Sequence, residues 1–562
     1  MCSYTSFREV VTPGDAIRNM NHPTRQMNIL MIVLRNNKDM FVYNPDDRES
    51  RYNPVVQLGM PYIAAYLKQE GFDVTGLNLN DEPGLIRDVI QNYLAENKYD
   101  MIFTGGTSLF YHNCKDLIKY LREFSEAKIV VGGGLVSAKP EMMIKMLKPD
   151  FIIRYEGEIT AAELVKAIRD NKPLSEIDGI CYTTRDGWIV TTSPRKLIQD
   201  LDSLPYPDFD AFDFSKQIEQ FKPAYIAYDH TDKPRPYSII ASRGCPWQCS
   251  FCFHTIGKGY RQRSVDNIMG EIQYAIDKYK ANVIFFNDEL FSYDKPRTLE
   301  ICRRIKEIKA RTPWEITVMA NNRVDKIDDE ILDAVCNDMG CNIVGFGLES
   351  YSNTVLKSMR KHITAEQIQK AISGVSDRGC VVQGSFIFGD PAETLATAQE
   401  TLDYYTNNQD VIKNAAKLDF IMAFPGAPVW EDAVARGIIK DEADFIENKA
   451  AQTYNRITPL NLTHLSDNDF EILKNRVFTA EYVTHRSARP MRYTCDGEER
   501  MFALCPYCHN PQEYRNITFP SFVGCRNCNG RYYLAPWWYK LSQAIVKVIG
   551  FNAANRLREI FT

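Results

Sequence analysis

Cys245, Cys249 and Cys252 are the residues of this chain whose spacing points most directly to chemistry. They lie in the segment SRGCPWQCSFCFH, directly after an apolar run that predicts a strand. A compact C-x3-C-x2-C loop can bring three thiolates to three corners of a cubane [4Fe–4S] cluster. The fourth iron then has no protein ligand and is open to a small molecule.

An open iron of this kind can be chelated by the amino and carboxylate groups of S-adenosylmethionine (SAM). One-electron reduction then cleaves an S–C bond of SAM and gives an adenosyl radical. One alternative is zinc, which normally takes four ligands in paired spacing and would need a fourth ligand from His254 or elsewhere. A second alternative is that the thiols are simply buried. The spacing favours the cluster.

A second group of cysteines forms two CxxC pairs, Cys505 with Cys508 and Cys525 with Cys528, separated by sixteen residues. Each pair fits a knuckle turn, and four thiolates complete a tetrahedral zinc site. Such a closed zinc site is normally structural, and a rubredoxin-like iron or an auxiliary cluster is the alternative. We predict a small zinc-ribbon-like domain within residues 461–535.

The elements that must position these cysteines belong to an α/β fold. Between residues 27 and 172, short apolar runs alternate with amphipathic segments, which predicts a Rossmann-like, doubly wound domain. Residues 173–236, rich in proline and aspartate, predict a connector with short strands. Residues 237–460 predict six strand–helix units, fewer than the eight of a closed barrel. We therefore expect a partial (β/α)6 barrel with active residues at the carboxyl ends of its strands.

Two flanking segments complete the chain, a polar N-terminal extension over residues 1–26 and a tail over residues 536–562. The tail combines Trp537, Trp538 and Tyr539 with aliphatic residues and spaced basic residues. This pattern predicts an amphipathic helix that rests either on a membrane surface or on the protein's own barrel.

The composition limits the function classes. A net charge of −5 and a pI near 6.0 provide no global basic field, so nucleic acid is not an expected partner. No apolar run reaches the ~18–20 residues that cross a bilayer, and no secretory signal is visible. Fifteen cysteines without such a signal indicate a reducing compartment. We expect a cytoplasmic protein, with peripheral membrane contact through the tail left open.

The segment RGCPWQCSFC resembles the signature of the radical SAM superfamily. Downstream, FFNDELF, GFGLESYSNTVLKSMRKHITAEQIQKAI, GSFIFGDPAET and FPGAPVWEDAVARG resemble, in that order, the second, fourth, fifth and sixth strand segments of the subgroup that carries a cobalamin-binding domain. The resemblance implies an enzyme that holds a [4Fe–4S] cluster on the three cysteines and binds SAM beside it.

The resemblance also implies SAM contacts. Phe251 would pack near the adenine, and Asp288 and Glu289 would lie near the methionyl amino group. Glu349 and Ser385 would face the ribose or the methionyl portion. This chain departs from the superfamily where many members have a Gly-Gly-Glu stretch, because it has FFNDEL there.

In the N-terminal domain, QLGMPYIAAYLKQEGFDV, FTGGTSLFYHN, IVVGGGLVSAKPE and IRYEGEITAAELV resemble the cobalamin-binding domain of the same subgroup. Glycines at strand ends permit close approach of a flat macrocycle or its phosphate tail. The Asp-x-His-x-x-Gly motif is missing, so we expect no histidine lower ligand to cobalt; a domain that no longer binds cobalamin is the alternative. The positions expected to line the site are Thr107, Ser108, Gly132, Gly133, Gly134, Glu156, Gly157 and Glu158.

The implied function is methylation of an unactivated carbon. An adenosyl radical abstracts hydrogen, methylcobalamin supplies the methyl group, and a second SAM regenerates it. One alternative is radical cyclisation, ring contraction or oxidation without methyl transfer, and another is an Fe–S protein for electron transfer or sensing. The expected partners are a small-molecule, lipid-like or peptide substrate and a one-electron donor such as flavodoxin or ferredoxin.

Overall fold

The computed structural model describes residues 26–36, 58–219, 221, 233–454, 458–495, 497–515 and 519–554. The N-terminal extension predicted over residues 1–26 lies outside the described residues except for its last residue. Part of the connector and the end of the tail segment also lie outside them. Within the described residues, no helix is both long enough and apolar enough to span a membrane.

The first sheet confirms the Rossmann-like prediction. Its strand order is 2-1-3-4-5-6-7, and the first five strands are parallel while the last two are antiparallel. The last two strands are the short ones predicted within the connector, so the sheet continues past residue 172 to Thr191. The seven strands are β1 (Asn28–Val33), β2 (Asp73–Asn78), β3 (Met101–Gly105), β4 (Lys128–Gly132), β5 (Phe151–Ile153), β6 (Ile180–Thr183) and β7 (Ile189–Thr191).

Helices cover both faces of this sheet, because the central strands are apolar on both sides. In β1, Ile29 and Met31 pack with α1 and α6, whereas Leu30 and Ile32 pack with α2, α3 and α5 on the opposite face. This division makes the domain doubly wound. The helices are α1 (Gly59–Gln69), α2 (Ile86–Glu96), α3 (Tyr111–Phe124), α4 (Gly134–Ser137), α5 (Pro140–Leu147) and α6 (Glu158–Asp170).

The second sheet confirms the partial barrel. Six parallel strands follow the chain order β8-β11-β12-β13-β14-β15. Among the described residues β8 and β15 do not pair, so the barrel is open. A short hairpin, β9 with β10, stands at its carboxyl end. The strands are β8 (Pro236–Ile239), β9 (Ser242–Arg243), β10 (Arg261–Gln262), β11 (Val283–Phe286), β12 (Thr317–Asn322), β13 (Ile343–Glu349), β14 (Val381–Phe388) and β15 (Ala416–Phe420).

The barrel helices bury their apolar faces against the outside of this sheet. Several begin at side-chain caps; the Thr364 hydroxyl, for example, accepts a hydrogen bond from the backbone of Gln367 in a capping box. The connector contributes α7 (Phe214–Glu219). The barrel helices are α8 (Val265–Tyr279), α9 (Lys295–Arg311), α10 (Asp329–Asp333), α11 (Asn353–Ser358), α12 (Ala365–Asp377), α13 (Leu395–Asn407), α14 (Gln409–Ile412), α15 (Pro428–Ala435), α16 (Glu442–Asn448) and α17 (Ala450–Thr453).

The C-terminal region consists of a long helix, two small sheets of three strands each, and a final helix. The two sheets pack at the amino-terminal end of the barrel strands, where the Arg531 amide donates to the Lys413 carbonyl (3.0 Å) and the Asn529 side chain donates to the Gly379 carbonyl (3.0 Å). The elements are α18 (Asp467–Thr484), β16 (Ser487–Ala488), β17 (Met491–Cys495), β18 (Glu498–Leu504), β19 (Pro511–Arg515), β20 (Ser521–Gly524), β21 (Arg531–Leu534) and α19 (Trp538–Ile549).

Candidate active site

The three-cysteine loop leaves β9 at the carboxyl end of the barrel. Gly244 precedes the first cysteine with φ of +81°, and a Cβ there would lie 2.0 Å from the Gly259 carbonyl oxygen, so only glycine fits. Two backbone hydrogen bonds hold the loop's middle: Ser250 donates to Met359 (2.9 Å) and accepts from Val429 (2.8 Å). The loop is therefore fixed by two distant segments of the barrel.

The thiols of this loop differ in exposure. Cys249 is buried, whereas Cys245 and Cys252 are partly exposed. Burial raises the pKa of Cys252 to about 12, and the nearby Glu289 carboxylate adds to this rise. Without a metal the Cys252 thiol holds its proton at neutral pH, so metal binding there must release a proton.

The arrangement distinguishes a cluster from a single ion. Among the described residues, the only thiols or carboxylates that lie within 4.8 Å of one another as a group of three or more are the four C-terminal cysteines. The three-cysteine loop is not such a group. Cubane ligands bind separate irons and do not need to converge on one point, whereas zinc ligands do. The arrangement of the loop therefore disfavours a single zinc ion.

Glu349 and Lys361 form a buried ion pair beside the loop, with 2.7 Å between Oε1 and Nζ. Glu349 ends β13 with φ of +62°, an uncommon backbone conformation for a residue other than glycine. A Cβ at Gly347 would lie 2.5 Å from both charged groups. The Lys361 ammonium also lies 5.9 Å from the Phe251 ring centroid. Phe251 and Glu349, both predicted to contact SAM, are thus brought together through a lysine that the sequence did not single out.

A second cation, Arg323, lies near the first half of the loop. The Arg323 guanidinium stacks 4.1 Å from the Trp247 ring centroid and donates to the Lys361 carbonyl (2.7 Å). Its charge acts to lower the pKa of Cys245 against the larger rise caused by burial. Lys361 acts in the same direction on the pKa of Cys252. The two cations are themselves paired with Asp325 and Glu349.

The two carboxylates predicted to lie near the methionyl amino group differ in their contacts. Asp288 is buried; it accepts a hydrogen bond from the Ala241 amide (3.2 Å) and another from the Ser242 hydroxyl. Its oxygens therefore hold the base of the cysteine loop. Glu289 is more exposed and lies 3.9 Å from His254. The amino-group role stays a prediction for both carboxylates, and Glu289 has the freer carboxylate.

Ser385 lies on β14 in register with Gly347 of β13. It is partly exposed, and the Glu349–Lys361 ion pair occupies the position where a side chain of Gly347 would lie. Its predicted contact with SAM is not tested by this arrangement and stays a prediction.

A cavity of about 560 Å³ lies at the carboxyl ends of β1, β3, β4 and β5. Its far wall comes from the barrel and includes Ile240, Arg243, Thr255 and Ile256. Of the eight positions predicted to line a cobalamin site, Ser108 is not part of its wall. The other seven line it, namely Thr107, Gly132, Gly133, Gly134, Glu156, Gly157 and Glu158.

The glycines of the cavity wall differ in the space that a side chain at each position would meet. Gly133 has φ of +87°, and its Cβ would lie 2.7 Å from the Gly106 carbonyl oxygen. A Cβ on Gly132 would meet only the Ile153 carbonyl oxygen, at 3.8 Å, so this position opens into the cavity. No histidine among the described residues lines the cavity, and the absence of a histidine ligand to cobalt stays a prediction. The wall fits a flat macrocycle that approaches the backbone closely.

Glu156 and Glu158 line the cavity, but their carboxylates are bound by arginines of the β9–β10 hairpin. Glu156 accepts from Arg243 (2.9 Å) and Arg261 (2.8 Å), and Glu158 accepts from Arg243 (2.6 Å). All four side chains are buried. The two domains are therefore joined by a buried ionic cluster two residues before Cys245.

We expect Glu156→Gln to lower the free energy of unfolding by about 3–5 kcal/mol, because the buried Arg261 guanidinium would lose the carboxylate that pairs with it and Arg243 would keep only Glu158. Urea titration of the full chain measures this loss. Glu163→Gln is the matched control, since Glu163 pairs with Arg195 but is 44% exposed, and we expect it to lose at most about 1 kcal/mol. Equal losses in the two variants would contradict the inference.

The four C-terminal cysteines converge as a single-ion site would require. Their Sγ atoms lie within 4.8 Å of one another, with 3.7 Å between Cys505 and Cys528 and 3.6 Å between Cys508 and Cys525. Hydrogen bonds from the Cys525 and Cys528 thiols lower the pKa of Cys505 to about 3. A tetrahedral zinc fits this set. Because the site lies at the amino-terminal end of the barrel, it cannot take part in chemistry at the cysteine loop.

We expect Cys508→Ser to remove one zinc per chain and to loosen the small sheets while the iron content is unchanged, because structural zinc stabilises the fold of its own module. Metal analysis combined with hydrogen exchange of β17–β21 measures both effects. Cys495→Ser is the control, since Cys495 lies on β17 outside the four-thiolate group. Zinc loss in the control variant would argue against this ligand set.

Known proteins support the assignment of the two cofactor domains. The Radical SAM superfamily model matches residues 239–405, and the B12 binding domain model matches residues 47–165. An uncharacterized methyltransferase of Pyrococcus horikoshii is 28% identical over 390 residues, which are 68% of this chain and 79% of the relative. An anaerobic magnesium-protoporphyrin IX monomethyl ester cyclase of Rubrivivax gelatinosus is 25% identical over 409 residues, 71% of this chain and 68% of the relative.

Among solved structures, the radical SAM methyltransferase TsrM from Kitasatospora setae, with cobalamin and a [4Fe–4S] cluster bound, has the same fold. The TM-score is 0.57 at 19% identity, over 73% of this chain and 76% of TsrM. Both domain matches and the fold confirm the resemblance found in the sequence. The chain is therefore a radical SAM enzyme of the subgroup with an N-terminal B12-binding domain, and its cofactors are a [4Fe–4S] cluster, SAM and cobalamin.

Proposed function

We propose that this enzyme methylates an unactivated carbon. The observation that carries the proposal is that the two cofactor sites adjoin each other. Arg243 and Thr255 line the cavity of the B12-binding domain, and they flank the segment that contains Cys245, Cys249 and Cys252. A substrate bound between the cluster site and the cobalamin cavity would face both a radical generator and a methyl donor.

The chain's own residues have three tasks in this reaction. The three cysteines hold the cluster, and the Glu349–Lys361 pair and Arg323 fix the charge around it. The glycines at the ends of β3 and β4 admit the macrocycle. The cofactors supply an adenosyl radical and a transferable methyl group when bound.

The reaction also needs an electron donor and a reducing compartment. A one-electron donor of the flavodoxin or ferredoxin class would reduce the cluster. None of the described cysteines forms a disulfide, which supports a reducing, cytoplasmic setting.

A second candidate is radical cyclisation or oxidation without methyl transfer. The relative from Rubrivivax gelatinosus, a cyclase by its name, supports this candidate. Both candidates use the same cluster and differ in whether SAM also donates a methyl group.

The test follows the fate of SAM in the reconstituted holoenzyme under anaerobic, reducing conditions. We expect both 5′-deoxyadenosine and S-adenosylhomocysteine, because SAM serves as radical source and as methyl source. Isotope label in the SAM methyl group should appear on the bound corrinoid before any substrate is added. Deoxyadenosine without S-adenosylhomocysteine would overturn the methylation and favour the second candidate.

A further inference from the structure

The last helix of the described chain, α19, turns its apolar side away from the protein. Trp538, Leu541, Ile545 and Val548 follow one another at the spacing of a single helix face, and all are exposed. Trp537, before the helix, and Ile549, at its end, extend this surface; Trp537 is 68% exposed and Val548 83% exposed. We call these six residues the α19 face.

The opposite side of α19 is the one that packs on the protein, and its contacts are partly polar. The Ser542 hydroxyl lies 2.7 Å from the Tyr482 hydroxyl, and the Gln543 side chain donates to the His485 carbonyl (2.7 Å). The Tyr539 ring centroid lies 5.4 Å from that of Tyr482, with the two rings tilted by 54°. An amphipathic helix on a protein core normally buries its apolar stripe, so the reversed orientation leaves a continuous apolar surface open.

The charge of this segment indicates what the α19 face contacts. The whole chain has a net charge of −5, yet the sequence from Tyr514 to Arg558 contains no aspartate or glutamate. Lys540 and Lys547 are both exposed next to the α19 face. The basic residues of this stretch are Arg515, Arg526, Arg531, Lys540, Lys547, Arg556 and Arg558.

We propose that the α19 face docks on an anionic membrane surface. Tryptophans at one end of an apolar helix face fit the level of the lipid headgroups, and flanking lysines pair with anionic lipids. A second copy of the chain fits less well, because a stable dimer needs about 20–30 residues per side. Twofold pairing of the α19 face would also bring the lysines of both copies together. The docking does not depend on which radical reaction the enzyme catalyses.

The test uses the full-length, cluster-loaded protein in flotation with vesicles. We expect it to float with vesicles of phosphatidylcholine and phosphatidylglycerol, and less with phosphatidylcholine alone. Ile545→Glu should weaken this partition at least about tenfold, because burial of an isoleucine is lost and a like charge is added. Trp188→Glu is the control, since Trp188 is 75% exposed but lies between β6 and β7.

Three results would overturn the proposal. The first is a wild-type protein that does not float with the anionic vesicles, and the second is an Ile545→Glu variant that floats as well as the wild type. The third is a dimer in solution that Ile545→Glu dissociates, which would assign the α19 face to a second copy. Circular dichroism and iron content should be equal in all variants, because each substituted side chain is exposed.

Discussion

Cys249→Ala is expected to remove the cluster and reduce SAM cleavage to background, a loss of at least about a thousandfold. The cluster needs three protein thiolates, and two cannot hold a cubane with one open iron. Cys249 is the buried member of the three. The backbone hydrogen bonds of Ser250 to Met359 and Val429 hold the loop and do not depend on the Cys249 side chain, so alanine leaves the fold of the loop intact. The measurements are iron per chain, visible absorbance of the cluster, and 5′-deoxyadenosine formed under reduction.

Cys302→Ala is the matched control for this prediction. Cys302 is also a buried barrel cysteine, and its thiol lies 3.9 Å from the Met339 sulfur, within the core. We expect it to lose a small amount of stability while iron content and SAM cleavage stay at wild-type values. The zinc at the four C-terminal cysteines should be unchanged in both variants. Equal iron content in Cys249→Ala and the wild type would refute the assignment.

The second large effect is expected from Gly132→Leu, which should abolish cobalamin binding while the cluster remains. Gly132 is the position in the cavity wall where a Cβ would meet only one neighbouring atom, the Ile153 carbonyl oxygen. A leucine there would extend into the cavity of about 560 Å³ and occupy the volume that the macrocycle needs. We expect cobalamin affinity to fall at least about a hundredfold, since steric overlap in a close-packed site costs several kcal/mol.

Titration of the cluster-loaded protein with cobalamin measures this affinity, and absorbance of the bound corrinoid reports it directly. Gly132→Ala is the control, because a single methyl group meets only the Ile153 carbonyl at an ordinary contact distance of 3.8 Å. The leucine variant should also form 5′-deoxyadenosine without S-adenosylhomocysteine, if methyl transfer from SAM passes through the cavity. Unchanged cobalamin binding in Gly132→Leu would place the macrocycle elsewhere.

Local spacing was enough to predict both metal centres. The three cysteines of the C-x3-C-x2-C loop, and the two cysteines within each CxxC pair, lie a few residues apart, where covalent geometry limits how far apart the thiols can be. The two pairs are sixteen residues apart, and their spacing is typical of a zinc ribbon. The alternation of apolar runs with amphipathic segments likewise predicted both parallel sheets, because the periodicity of burial is a local property of strand and helix. The open barrel followed from the number of strand–helix units.

The tertiary structure alone decided how charged groups meet. Glu156 pairs with Arg243 and Arg261 across 87 and 105 residues of chain, and no local pattern marks such partners. Their pairing depends on the docking of the two domains. Glu156 and Glu158 therefore join the domains and, as predicted, also line the cavity. The same applies to Lys361, which lies between Phe251 and Glu349.

The tail shows the same division. The sequence indicated an amphipathic helix, and the helix is present as α19, but periodicity cannot say which side faces the protein. That choice depends on the surface α19 meets: Tyr482 and His485 offer hydrogen-bonding groups to Ser542 and Gln543. Residue types and spacing therefore determined which groups can do chemistry in this chain, and packing between distant segments decided which of them meet and which surfaces stay open.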